Sequence, residues 1–106
     1  MKPEKAKKLE QAGWKLGDAK DFLGLDISEA AFVEIKLALA RRLREIREQN
    51  RWTQADLAGR LGSSQSRVAK MEAADSTVSM DVLVRSLLTA GADRKDVGRT
   101  VSSRHR

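Results

Sequence analysis

The chain contains no cysteine, which excludes disulfide scaffolds, thiolate zinc sites and cysteine nucleophiles and is compatible with a reducing cytoplasm. Its single proline is Pro3, so nothing downstream forbids helices. Aromatic residues make up only 4% of a sequence that is 41% hydrophobic, leaving Leu, Ala and Val to do the packing, which suits close-packed helices better than a sandwich. No apolar run approaches the roughly 20 residues needed to span a bilayer. The N-terminal lysines are followed by no apolar stretch of the kind a secretory signal needs. The sole histidine, His105, lies in the C-terminal tail and can anchor neither a catalytic nor a metal constellation. The acid pairs Glu45/Glu48 and Asp93/Asp96 are spaced for solvated faces or caps rather than for acid–base chemistry. The expectation is an all-α, soluble, cytoplasmic protein with no cofactor, no metal, no membrane contact and no enzymatic activity.

At 106 residues the chain is long enough for one compact domain. Its net charge is +6, from 21 basic against 15 acidic residues. Residues 1–25 carry six lysines against four acids, and 26–50 carry five of each sign. Residues 51–90 carry five basic against four acidic groups, and 91–106 five against two. The excess therefore belongs to the two ends. A basic balance favours phosphate partners, but the middle of the chain is nearly neutral, and bulk charge there is too weak to carry recognition.

Helix punctuation divides the chain. Residues 4–12 are good helix formers ended by Gly13; Trp14 then supplies an anchor, expected to dock the N-terminal segment on the long helix that follows. Asp18 opens a short helix through Leu23. Asp26 and Glu29 have capping-box spacing and open the longest helix, about 27–49. Its first half is apolar on more than one face, as if packed on both the N-terminal segment and the core. In its second half Leu39, Leu43 and Ile46 are spaced by four and three, with Arg41, Arg42, Arg44, Glu45 and Glu48 on the solvated side. Thr53 caps a helix over 54–61, with Trp52 and Leu57 placed as a hydrophobic staple. Ser64 caps the next through about Ala73, Ser79 caps 80–90, and Asp93 with Asp96 starts a last short helix containing Val97 and Val101. The domain reading is an N-terminal helical extension (1–25), a helical domain (26–101) and a disordered tail (102–106).

The stretch from Thr53 to Met71 carries the most information. Leu57, Ala58 and Leu61 form an apolar face that Gly62 interrupts, and Val68 and Met71 resume it. This is the layout of a helix-turn-helix, with one bracing helix and one helix free to touch a partner. If Val68 and Met71 face inward, then Gln65, Ser66, Ala69 and Lys70 face outward. Those side chains suit base edges: Gln pairs with adenine, Lys reaches guanine, Ser adapts and Ala admits a thymine methyl. Gln54, in the first turn of the bracing helix, is placed to clamp phosphate, with Arg67 on the flank. Thr53 and Ser64 serve as caps that can also meet phosphate.

From about Leu39 to Ala92 the sequence resembles the Cro/repressor-type helix-turn-helix domain of the xenobiotic-response-element (XRE) family. The matching positions are Thr53-Gln54-Ala55-Asp56-Leu57-Ala58, Leu61-Gly62, Ser64-Gln65-Ser66, Val68 and Met71-Glu72. The segment from Gly13-Trp14 to Phe22-Leu23-Gly24-Leu25 resembles an N-terminal extension of antitoxin-like members. The resemblance implies a five-helix, lambda-repressor-like fold, double-stranded DNA as partner, and base reading by the positions matching Gln65, Ser66 and Lys70. It also implies a buried structural ion pair between Arg47 and Glu72. Ala58 would sit at the closest approach of the two helices, and Gly62 would take a left-handed backbone. The family usually has Gly where this chain has Arg51, so the turn is expected to shift to Asn50. The resulting expectation is a sequence-specific transcriptional repressor acting as a homodimer, with Leu87, Leu88, Val97 and Val101 either forming a dimer surface or simply closing the core. The alternative is an antitoxin that binds a protein toxin and autoregulates its operon.

Overall fold

The computed structural model describes residues 26–103, and the expectations for residues 1–25, Trp14 and His105 lie outside them. Five helices follow one another among the described residues: α1 (Ile27–Gln49), α2 (Gln54–Leu61), α3 (Gln65–Glu72), α4 (Met80–Thr89) and α5 (Arg94–Ser102). No strand occurs among them, so the architecture is all-α. Ser102 closes α5 instead of beginning the tail.

Each helix begins where a short oxygen-bearing side chain meets an orphan N–H. Asp26 Oδ1 accepts from Glu29 N–H at 2.7 Å. Thr53, Ser64, Ser79 and Asp93 accept from the N–H three residues on. At Thr53 the cap is reciprocal: Asp56 Oδ2 accepts from Thr53 N–H at 2.8 Å, and Thr53 Oγ1 from Asp56 N–H at 3.0 Å. The bond from the Thr53 N–H foremost, with the Thr53 side chain beside it, holds the Asp56 carboxyl below the usual carboxylate range.

Four helices end alike, with a left-handed residue and paired backbone bonds that turn the chain out of the helix. Gly62 (φ 65°) and Gly91 (φ 115°) fill this position after α2 and α4. Arg51 (φ 59°) and Ala74 (φ 53°) fill it after α1 and α3. The turn after α1 therefore does not shift to Asn50. Arg51 N–H bonds Glu48 O and Trp52 N–H bonds Arg47 O, both at 3.0 Å, so the left-handed residue is Arg51 itself. The Asn50 side chain instead donates to Ile46 O at 2.8 Å.

The core comprises Leu39, Leu43, Leu57, Val68, Val78, Leu83 and Leu87, each fully buried, with Ala40, Ala58, Met71, Ala90 and Ala92 around them. Burying each of the larger side chains is worth about 1.5–3 kcal/mol. Ile35 is the first α1 side chain packed on this core. Phe32, Val33 and Leu37 in the first half of α1 are exposed; the N-terminal segment on which this half is expected to pack lies outside the described residues. Of the four residues open to both readings, Leu87 and Val97 close the core, and Leu88 and Val101 are exposed. Arg42, read as solvated, is half-buried and forms a bidentate pair with Asp96, 2.9 and 3.0 Å, which ties α5 to α1. Hydrogen bonding to Arg42 holds the Asp96 carboxyl below its ordinary range.

Candidate nucleic-acid interface

α2 and α3 pack on each other around Leu57, Ala58, Val68 and Met71, with the turn between them closed by Gly62. Ser63 N–H bonds Ala58 O at 2.8 Å across that turn. α3 is thereby held by one side only. Gln65, Ser66, Arg67 and Lys70 are exposed and Ala69 is half-buried at the edge. The outward face expected of residues 65, 66 and 70 is present, and Arg67 lies on the flank.

The Arg47–Glu72 pair closes as a fork. Arg47 Nε and Nη2 donate to the two Glu72 oxygens at 2.6 and 3.1 Å, and Nη1 donates to Trp52 O at 3.0 Å. The side chains are 15% and 6% exposed. The bond to Glu72 raises the Arg47 pKa further, so the guanidinium is permanently charged. One interaction thus joins the end of α1, the turn before α2 and the last turn of α3.

The chain of bonds continues outward. Gln54 Nε2 donates to Glu72 Oε1 at 3.2 Å, and Gln65 Nε2 donates to Gln54 Oε1 at 2.7 Å. Its direction is dictated by Glu72, which as a carboxylate only accepts. Gln54 must turn its NH₂ inward and its oxygen toward Gln65, and Gln65 must turn its own NH₂ toward Gln54. What remains free on Gln65 is Oε1 and one N–H, an acceptor beside a donor. Gln54, read from sequence as a phosphate clamp, spends its oxygen and one N–H in this chain and keeps one N–H for another partner.

Ser64 Oγ accepts the Arg67 N–H at 3.2 Å and lies 3.3 Å from Ser66 Oγ. On the other side of α3, Lys36 Nζ donates to Asp75 O at 3.1 Å. The Asp75 carboxylate accepts from the Thr77 hydroxyl at 2.6 Å and its N–H at 2.8 Å, which holds its pKa down and fixes the exit turn. Trp52 is half-buried against the core, as a staple requires, but its ring also carries the Arg60 guanidinium 4.1 Å from its centroid. Neither that stack nor the Gln54–Gln65 bond was foreseen from spacing. The Thr53/Asp56 box had the sequence signal of Asp three residues after Thr.

No group of three or more His, Asp or Glu able to hold a metal ion occurs among the described residues. No helix among them is long and apolar enough to cross a membrane. No curated protein and no solved structure matches the chain. A family model does: that of the helix-turn-helix domain, over residues 38–99. The match runs from the second half of α1 into α5 and covers more than half of the chain. The protein therefore belongs to the helix-turn-helix domain family of DNA-binding domains.

Proposed function

We propose that the protein is a sequence-specific transcriptional repressor that lays α3 in the major groove of double-stranded DNA. The observation that carries this reading is the bond chain from Arg47 through Glu72 and Gln54 to Gln65. It fixes an acceptor and a donor side by side at the exposed start of α3, the pair of groups that adenine N6 and N7 complement. Ser66, Ala69 and Lys70 extend the contact along the same face. Gln54, through its remaining N–H, contacts phosphate together with Arg67, and the Thr53 and Ser64 hydroxyl groups contribute where their protons are free. One such helix reads few base pairs, so a homodimer on half-sites about 34 Å apart supplies the specificity. The antitoxin alternative rests on residues 1–25, outside the described part, and no observation favours it.

The test is selection of bound sites from a random DNA pool, followed by Gln65→Ala and Lys70→Ala on the site recovered. Each substitution should cost about 1–3 kcal/mol of discrimination between that site and random DNA, with the melting temperature unchanged. Unaltered discrimination would overturn the assignment of α3 as the reading helix.

A further inference from the structure

Behind α3, on the side away from its exposed face, a cleft of about 230 Å³ opens between the α2–α3 turn and α4. Its floor is apolar, formed by Leu61, Met71 and Val82, and Arg67 and Arg85 stand at its rim. Ser86 also lines it and is only 6% exposed. The Ser86 hydroxyl has a single partner among the described residues, Met71 Sδ at 3.6 Å. A thioether is a weak acceptor, so a buried hydroxyl spends its proton poorly there and keeps both lone pairs free. Arg85 is paired with Asp81 at 3.0 Å, whereas Arg67 makes no side-chain bond among the described residues.

We infer that this cleft binds a small monocarboxylate with an apolar body, and that filling it weakens DNA binding. A dry cavity of about 150 Å³ holds a benzene ring, so the cleft has room for a ring and a carboxylate. The apolar floor takes the ring, Ser86 donates to a carboxylate oxygen in place of sulfur, and Arg67 supplies the charge at the rim. The second half of the inference rests on the proposed DNA reading, since Arg67 belongs to α3 and is assigned there to phosphate. A guanidinium drawn into the cleft is withdrawn from the backbone, and the linkage is reciprocal: DNA must expel the acid as the acid expels DNA.

The experiment uses the full chain with sodium benzoate, first without DNA. Titration calorimetry should give saturable one-to-one binding with a dissociation constant on the order of 1 mM. Ser86→Ala and Arg67→Gln, each checked for an intact melting transition, should weaken it about fivefold to tenfold. Inorganic phosphate, with charge but no apolar body, should not compete. Fluorescence anisotropy on the selected site should then show DNA affinity falling at least about threefold at saturating benzoate, relative to sodium chloride of equal ionic strength. Absence of saturable binding, wild-type binding by both variants, or equal competition by phosphate overturns the site. Benzoate binding with unchanged DNA affinity overturns the regulatory half alone. Benzoate binding by a protein that takes no DNA supports the site and overturns the DNA reading on which its regulatory half stands.

Discussion

Replacing Arg47 by alanine removes three donors at once: two on Glu72 and one on the Trp52 carbonyl. The Glu72 carboxylate, 6% exposed, is then left with the Gln54 amide as its one partner among the described residues. Breaking a buried pair from one side costs about 3–5 kcal/mol, and Arg47→Ala belongs at the upper end because so little water reaches Glu72. Glu72→Ala belongs nearer 3 kcal/mol, since Arg47 is 15% exposed and keeps its bond to Trp52 O. For a domain of this size each kcal/mol moves the melting temperature by about 4–8 °C. Arg47→Ala should therefore melt more than about 15 °C lower, and the Arg47→Met, Glu72→Leu double variant should recover most of the loss. Circular dichroism melts of the wild type, the two single variants and the apolar double variant give these losses side by side. A loss below about 1 kcal/mol for Arg47→Ala, or a larger loss for Glu72→Ala, would refute the argument that the desolvated carboxylate dominates.

Three further outcomes follow from the same geometry. Arg51→Gly should stabilise the protein by up to about 1 kcal/mol, because a left-handed Cβ costs about 1–2 kcal/mol and glycine returns part of that gain to the unfolded chain; Gly62→Ala should destabilise it in the same urea titration. Stability should fall as pH drops: the Asp96 pKa is lower folded than unfolded, so its contribution is complete above the unfolded value near 3.9 and is lost below it. Asp96→Asn should lessen the fall in melting temperature between about pH 5 and pH 2, while the part carried by Asp56 and Asp75 remains. Finally, Arg60→Gln should cost about 0.5–1 kcal/mol in a chemical melt, through the lost stack on Trp52.

What the sequence displays of this fold is local chemistry. Thr53, Ser64, Ser79 and Asp93 announce helix starts because a cap needs only the next three residues, and Gly62 announces the turn because its backbone demands it. Leu39, Leu43 and Leu57 show their burial through helical spacing. Arg51 is not legible as the turn because paired backbone bonds and the packed Trp52 after it hold an arginine where local preference asks for glycine. Leu87 and Val97 stay open in sequence to core or dimer roles because an apolar face does not state whether the same chain or another covers it. Arg42 with Asp96 was hidden by 54 residues of separation, and Val78 by its place in a loop. The outward face of α3 was legible as a set of residues. Their mutual bonding was not, because it depends on side chains from three helices meeting.

The bond chain through Glu72 has a consequence for how specificity can change. The polarity presented by Gln65 is inherited from a carboxylate that never reaches the surface, so a buried substitution can rewrite what the surface asks for. Glu72→Gln would put an amide at the inner end; Arg47, a donor only, would draw its oxygen, and the NH₂ could then turn to Gln54 and reverse the polarity of the chain. On the proposed reading, such a variant would change its preference at one base pair. On that reading, what the start of α3 asks of a partner is set from the inside.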